Sequence, residues 1–206
     1  MIPYYQSQGI TIFHADSAEI WNDLEPFDLI LTDPPYGYGW DTKYSRFSKG
    51  TADKKQIKND AGELDLRHIF DSPAEKIIFG FNSLVEFIEK PGSLIVWDKR
   101  GEDGFSFLSD GESAYWSEGR GVYIFSKNGQ QHRSQAGLHP TQKPIGLFRW
   151  CIEKAKRNAI IVDPFMGSGT TLRAAKDLGK RAIGIEIDEK YCETAAKRLE
   201  QEMLFT

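Results

Sequence analysis

A buried strand that stops at two prolines constrains the fold of this chain more than any other feature. Residues 27–32 form an apolar run of strand length, and Asp33, Pro34, Pro35 and Tyr36 follow it directly. Proline fixes φ at about −65° and has no N–H, so it cannot continue a central strand. The corner therefore presents a carboxylate, the Pro34 carbonyl and an aromatic ring at the carboxyl end of a strand, where open α/β sheets bind ligands. These groups suit a planar substrate that carries an exocyclic amino group.

Strand-like and helix-like segments alternate along the chain, which predicts an α/β fold with a doubly wound, mostly parallel sheet. The 206 residues fit one domain with six or seven strands covered on both faces. Strands are predicted at 10–13, 27–32, 76–79, 93–97, 122–126, 159–162 and 181–185. Helices are predicted at 65–70, from Asn82 as N-cap to 89, at 145–156 with Pro144 in the first turn, at 170–178, and from Asp188 as N-cap to 203. Segment 37–58 shows no clear period, which predicts a loop or mobile lid. Segment 101–121 contains five glycines and several acids, which predicts irregular surface.

A glycine-rich turn follows the strand predicted at 159–162. Asp163 begins this turn, and Gly167 and Gly169 lie just before the next predicted helix. Glycines let a ligand approach the backbone closely, and a helix start offers free N–H groups. Glu186 ends the next predicted strand, 186 − 167 = 19 residues past Gly167, close to the roughly 20 expected of an acid that binds ribose hydroxyls. The alternative for Glu186 is an exposed strand-end acid or a helix cap.

Three motifs, in the order in which they occur, resemble those of the amino DNA methyltransferases, which methylate adenine N6 or cytosine N4. Residues 33–36 (Asp-Pro-Pro-Tyr) resemble their catalytic motif, residues 163–171 their S-adenosylmethionine loop, and residues 139–144 (His-Pro-Thr-Gln-Lys-Pro) the segment that precedes that loop. The catalytic motif comes before the cofactor loop, as in the permuted subgroup labelled β. The resemblance implies a Rossmann-like S-adenosylmethionine-dependent methyltransferase fold, with a single methyltransferase domain over 1–206 and a DNA-contacting insertion or mobile loop at 37–72.

The resemblance also implies individual site residues. The implied S-adenosylmethionine contacts are Asp16, Thr141, Lys143, Asp163, Phe165, Gly167, Ser168, Gly169, Thr170 and Glu186. In this set Asp16 meets the adenine region, Asp163 lies near the methionine amino group, and Thr141 and Lys143 meet the methionine carboxylate. Asp16 is equally suited to cap a helix. A surface lysine is usually solvated, which is the alternative for Lys143.

The implied catalytic residues are those of the prolyl corner. The Asp33 carboxylate and the Pro34 carbonyl would accept the two N–H bonds of the substrate amine, localise its lone pair and stabilise the positive charge that develops on nitrogen. Pro35 holds the corner, and Tyr36 would stack on a base flipped out of the duplex. Asp rather than Ser at position 33 favours adenine N6 over cytosine N4.

The net charge of −4 is unusual for a protein that binds DNA, because phosphate neutralisation needs a basic face. Basic residues nevertheless cluster in two stretches. The predicted phosphate contacts in these stretches are Lys43, Arg46, Lys54, Lys55, Lys58 and Arg133. Only residues 127–138 occupy the slot where the subgroup carries its recognition region. Base reading therefore falls to 37–72, or specificity is low, or a second subunit of a homodimer contributes.

Other functions and sites were weighed on the same sequence. Methylation of RNA or of a protein amide is a second enzyme class, whose members tend to carry Asn before Pro-Pro-Tyr. A non-catalytic DNA-binding partner would show damaged motifs. Cys151 and Cys192 are predicted to be buried free thiols, with no metal site. The lack of a membrane-length apolar run or a leader predicts a cytoplasmic protein, in a prokaryotic cell or a phage-infected host.

Overall fold

The computed structural model describes residues 1–35, 65–100, 109–126 and 143–201. The strands in these ranges are β1 (Tyr5–Ser7), β2 (Ile10–His14), β3 (Leu29–Thr32), β4 (Glu75–Phe79), β5 (Ser93–Asp98), β6 (Gly111–Trp116), β7 (Val122–Ser126), β8 (Ile160–Asp163) and β9 (Arg181–Glu186). The helices are α1 (Ser17–Ile20), α2 (Arg67–Phe70), α3 (Phe81–Leu84), α4 (Ile145–Lys154), α5 (Thr170–Asp177) and α6 (Glu189–Glu200). Short 3-10 turns follow α1 and α3. Among these helices, none has the length and apolar character needed to cross a membrane.

All nine of these strands belong to one sheet, in the order β1-β2-β9-β8-β3-β4-β6-β5-β7. Strands β2, β9, β8, β3 and β4 are paired in parallel, so their carboxyl ends meet at one edge. Strand β6 is antiparallel to both β4 and β5. Its first residues therefore reach the edge at which its neighbours end. This arrangement confirms the predicted mostly parallel α/β fold.

The apolar strands are buried on both faces, which is why they appear in the sequence as continuous apolar runs. In β3, Leu29 and Leu31 belong to the core formed with α4, α5 and α6, whereas Ile30 belongs to a second core beneath α2 and α3. Helix α6 contributes Cys192 and Leu199 to the first core from one face. Both faces of the sheet are thus covered, and Cys151 and Cys192 are buried free thiols as predicted.

Two glycines permit close packing around the turn between β8 and α5. Gly169 precedes α5 with φ +78°, and a Cβ there would lie 2.8 Å from the Cβ of Ala195. Gly184 lies inside β9, and a Cβ there would lie 2.4 Å from the sulfur of Met166. The turn therefore packs directly against β9 and α6, and side chains at these two positions would prevent this contact.

Several predicted elements need correction. The sheet has nine described strands rather than six or seven, because β1 and β6 were not predicted. Strand β6 lies within the segment 101–121 that was predicted to be irregular, since its first half is polar and partly exposed. Strand β1 is a short, polar edge strand that shows no apolar alternation.

Helix boundaries also differ from the predicted ones. Helix α3 begins after Gly80, which has φ +85°, so Asn82 lies inside the helix rather than at its N-cap. Pro144 occupies the N-cap of α4 instead of its first turn. Helices α4 and α6 end at 154 and 200. Leu66 and Ile69 are buried in the second core, so the last part of the predicted insertion at 37–72 belongs to the fold.

Candidate active site

The acidic residues expected in the site lie along one edge of the sheet. Asp16 follows β2, Glu186 ends β9, Asp163 ends β8 and Asp33 follows β3. These four strands are consecutive neighbours in the sheet. Residues that are far apart in the sequence are therefore brought together where open α/β sheets bind ligands.

Glu186 holds the glycine turn through its carboxylate. Its Oε2 accepts a hydrogen bond from the Gly167 N–H at 3.0 Å, and its Oε1 accepts one from the Asp188 N–H at 2.9 Å. Burial raises the pKa of Glu186, and the backbone hydrogen bonds oppose the rise. Gly167 has φ +50°, and the space where its Cβ would lie is open. A half-buried carboxylate beside open space fits an unphosphorylated ribose, because each carboxylate oxygen can accept more than one hydrogen bond.

The rest of the turn is held from α6 and from the second core. Arg198 donates from Nη1 to the Ser168 carbonyl oxygen and to the Thr170 hydroxyl, both at 3.3 Å. Phe165 is half-buried and packs against the second core. Arg198 had no signal in the sequence, because it lies outside the turn that it supports. Whether these turn residues touch a cofactor remains a prediction.

Asp16 is the N-cap of α1. Its carboxylate accepts a hydrogen bond from the Ala18 N–H at 2.9 Å, and its own backbone is extended. The helix-cap interpretation is thus confirmed. The preceding residue, Ala15, donates its N–H to the Glu186 carbonyl oxygen at 3.0 Å, which places the cap beside the acidic end of β9. The adenine contact stays a prediction.

Asp163 connects the glycine turn, which follows β8, with the end of β3. It is 3% exposed, and its Oδ1 accepts hydrogen bonds from the Thr32 hydroxyl at 2.7 Å and the Phe165 N–H at 3.1 Å. Its Oδ2 accepts a hydrogen bond from the Thr171 hydroxyl. Burial raises the pKa of Asp163 to about 6, and these hydrogen bonds oppose the rise. Because Thr32 immediately precedes the prolyl corner, one buried carboxylate connects the glycine turn to the segment that carries Asp33.

The prolyl corner, predicted to be catalytic, contains an ion pair that the sequence did not predict. The Asp33 side chain is 27% exposed, and Pro34 is buried. The Lys143 ammonium donates a hydrogen bond to Asp33 Oδ2 and lies 2.9 Å from Glu112 Oε2. The Lys143 side chain is only 7% exposed. The solvated-surface interpretation of Lys143 is therefore wrong, and its described partners are two carboxylates at the corner.

The ion pair extends into a row of alternating charges: Asp33, Lys143, Glu112 and Lys99, whose ammonium pairs with Glu112 Oε1. Burial lowers the pKa of Lys143, but the two carboxylates raise it by more, so it stays above its usual value. Burial likewise raises the pKa of Glu112, and the two lysines lower it by more. Glu112 carried no motif in the sequence. It reaches the site only because β6 runs antiparallel to its neighbours.

Comparison with known proteins identifies the family. The profile of the DNA methylase family, which covers N6 and N4 enzymes, matches residues 116–197. The putative methylase YubD of Escherichia coli K12 is 30% identical, and the match covers 84% of this chain and 81% of YubD. The chain belongs to the N6/N4 DNA methylase family. The predicted family is thereby confirmed.

Two further relatives of this DNA methylase align over nearly their whole lengths. The type II methyltransferase M2.DpnII of Streptococcus pneumoniae is 27% identical, with 97% of this chain and 93% of the relative covered. The crystal structure of the M1.HpyAVI complex with S-adenosylmethionine is 27% identical and has a TM-score of 0.59, with 92% of this chain and 99% of that chain covered.

Some predicted site residues of the DNA methylase lie outside the described ranges. These residues are Tyr36, Thr141, Lys43, Arg46, Lys54, Lys55, Lys58 and Arg133. Their roles in base stacking, cofactor binding and phosphate contact stay predictions from the sequence.

Proposed function

We propose that this DNA methylase transfers a methyl group from S-adenosylmethionine to an exocyclic amino group of a DNA base, adenine N6. One observation carries the proposal: β9, β8 and β3 are consecutive in the sheet and end at one edge, so the Glu186 carboxylate, the glycine turn and Asp33 lie along the same edge. The hydrogen bond between Thr32 and Asp163 fixes the two halves relative to each other. A methyl donor at the turn and an amine at the corner would then meet at one edge of the sheet.

The donor half of the site suits S-adenosylmethionine, which the related M1.HpyAVI binds in its crystal structure. When bound, this cofactor supplies an electrophilic methyl group on a sulfonium sulfur. Glu186 would accept hydrogen bonds from the ribose hydroxyls while retaining its backbone donors. The open space at Gly167 would admit the ligand against the main chain. Asp163, charged above a pKa of about 6, would add negative charge near the methionine ammonium.

The acceptor half would activate a weak nucleophile. The Asp33 carboxylate and the Pro34 carbonyl would accept the two N–H bonds, which localises the nitrogen lone pair. As the bond between nitrogen and the methyl carbon forms, the bond from that carbon to the sulfonium sulfur would break and leave S-adenosylhomocysteine. Asp33 would stabilise the positive charge on nitrogen until one proton passes to solvent. A base within a duplex must be flipped to reach this corner, at a cost of a few kcal/mol, and Tyr36 would stack on it. The resemblance of an Asp-type motif to adenine enzymes supports N6 over cytosine N4.

Residues 1–206 would form a single methyltransferase domain. Within this domain, the basic residues between 43 and 58 would contact DNA. Since residues 127–138 are too few for an independent recognition module, a second subunit of a homodimer would add phosphate contacts. Because its substrate would be DNA, the enzyme would act in the cytoplasm of a prokaryotic cell, which holds the DNA.

The test is a product analysis. Purified protein is incubated with tritiated S-adenosylmethionine and genomic DNA from a methylation-deficient strain, and the digested nucleosides are separated by mass spectrometry. N6-methyladenine is expected, and Asp33→Ala should abolish the product while cofactor affinity, measured by calorimetry, stays within about twofold. N4-methylcytosine would refute the choice of base. A folded chain that binds the cofactor but methylates no DNA would refute the proposed activity.

A further inference from the structure

The Lys143 ammonium sits behind the Asp33 carboxylate, on the protein side of the corner. Asp33 is 27% exposed, whereas Lys143 is 7% exposed and also lies 5.3 Å from the centroid of the Phe79 ring. A buried ammonium is costly unless it is paired and hydrogen-bonded. Here it is paired with Asp33 and with Glu112. A substrate base that approaches from solvent would therefore meet Asp33 before it met Lys143.

The backbone at Lys143 is also well defined. The next residue, Pro144, is the N-cap of α4 in an extended conformation, with φ −62° and ψ 133°. A residue before proline is itself restricted to extended conformations. Helix α4 is packed in the main core through Leu147 and Phe148. The lysine thus projects from a fixed helix start, so it can hold a partner in place.

We propose that Lys143 is a positioning residue for the methyl-transfer reaction, holding one oxygen of the Asp33 carboxylate so that the carboxylate faces the substrate amine in a fixed orientation. The terminal torsion of an aspartate side chain is broad when nothing holds it. The hydrogen bond to Oδ2 removes that freedom. This inference rests on the proposed function, because it assumes that Asp33 receives the amine.

Glu112 is the second carboxylate partner of the Lys143 ammonium. An ammonium next to Asp33 weakens the negative potential that a developing positive charge on nitrogen would feel. Glu112, 2.9 Å from the ammonium, offsets this effect. Its other oxygen is held by Lys99, so Glu112 also keeps the ammonium aligned. Glu112 therefore acts on Asp33 through Lys143.

The experiment compares methyl transfer with cofactor binding in matched variants. Single-turnover rates are measured with tritiated S-adenosylmethionine at saturation and methylation-deficient genomic DNA, and cofactor Kd is measured by calorimetry. Lys143→Met should slow methyl transfer by about 10- to 100-fold, the range expected from a misplaced reacting group, with Kd changed by less than about twofold. Lys143→Arg should recover most of the lost rate, because it restores the cation.

The matched control is Lys76→Met. Lys76 is also a buried lysine, 8% exposed, but it lies at the amino end of β4 and donates to the carbonyl oxygens of Ser72 and Ala74. Its loss should leave the rate per folded molecule unchanged. Glu112→Gln should slow methyl transfer by a smaller factor than Lys143→Met, and it keeps the inference testable if Lys143→Met does not fold.

Three results would overturn the inference. The first is a wild-type rate in folded Lys143→Met or, if that variant does not fold, in Glu112→Gln. The second is a weakened Kd in Lys143→Met with a normal rate at saturating cofactor, which would assign Lys143 to the methionine carboxylate. The third is equal loss in Lys143→Arg and Lys143→Met. The proposed function fails separately, if the folded wild-type protein binds the cofactor but methylates no DNA, and the role of Asp33 fails through a wild-type rate in Asp33→Ala. An inactive Asp33→Ala beside a fully active Lys143→Met would reject the positioning role alone.

Discussion

The buried carboxylate of Asp163 should make stability depend on pH in a direction opposite to that of most aspartates. Its pKa in the folded protein is about 6, against an ordinary value of 3.8. An acid whose pKa is raised on folding contributes stability that is fully present below its unfolded pKa and declines as the pH rises towards its folded pKa. That contribution is lost as the pH rises through about 6. A difference of about two pH units corresponds to about 3 kcal/mol of unfolding free energy.

Asp163→Asn removes this titration while preserving the shape of the side chain. Since threonine hydroxyls both donate and accept, Thr32 and Thr171 can still hydrogen-bond to an amide. Unfolding free energies of the two proteins are measured with urea between pH 4 and pH 8. The difference, wild type minus Asp163→Asn, should fall by about 2 kcal/mol between pH 4 and pH 7, because part of the full contribution is already lost at pH 4. Other titrating groups contribute equally to both proteins and cancel.

Two further variants sharpen this measurement. Thr171→Val removes a donor that lowers the pKa of Asp163, so it should extend the fall in stability to higher pH. Met166→Leu alters the packing of the same turn without touching the carboxylate, and its stability should run parallel to that of wild type. A difference curve that is flat, or that rises with pH, would show that the hydrogen bonds to Asp163 outweigh its burial and would refute the reasoning.

Three other predictions follow from the turn and the basic segment. Glu186→Ala should weaken S-adenosylmethionine binding by about 1–3 kcal/mol, and unchanged affinity by calorimetry would remove Glu186 from the site. Gly169→Ala should destabilise the protein by about 1–3 kcal/mol, because its Cβ would lie 2.8 Å from a side chain of α6 and φ is +78°; an unchanged urea midpoint would contradict this. Replacing Lys54, Lys55 and Lys58 with Ala should reduce the log–log salt slope of DNA binding by up to about 0.9 per lost phosphate contact, whereas an unchanged slope would favour DNA contact by residues 127–143.

The parts of the fold that were predictable are those in which burial leaves a local pattern. Strands β3 and β8 are apolar runs because both of their faces are covered. The spacing between Gly167 and Glu186 predicted an acid that binds ribose, whereas the hydrogen bond between these two residues was not predicted. Strand β6 was not predicted, because Gly111, Glu112 and Ser113 are partly exposed. Its position between β4 and β5 depends on tertiary pairing with these two strands.

At the prolyl corner, the Asp33 motif could be predicted from the sequence, but the residues that form the ion pair with Asp33 could not. The Asp33 motif is continuous in the sequence, so its residue types and order were enough to identify it. The partner of Asp33, Lys143, lies 110 residues away, and Glu112 comes from a third segment. No periodicity or spacing links three such positions. Their association depends on strand order, which a single sequence specifies only through the whole fold.

The strand order also determines when the site can form during synthesis. Strand β2 is paired with β9, with His14 opposite Glu186, so these partners are 186 − 14 = 172 residues apart. The ribosome therefore completes the strand that leads to Asp16 long before its parallel neighbour exists. Pairing of such distant segments is intrinsically slow, and unpaired strand edges in incomplete chains are prone to aggregate. Strands β2 and β8 are consequently joined only after β9 has emerged, so the edge that carries Asp16, Asp163 and Glu186 is the last part of the described sheet to close.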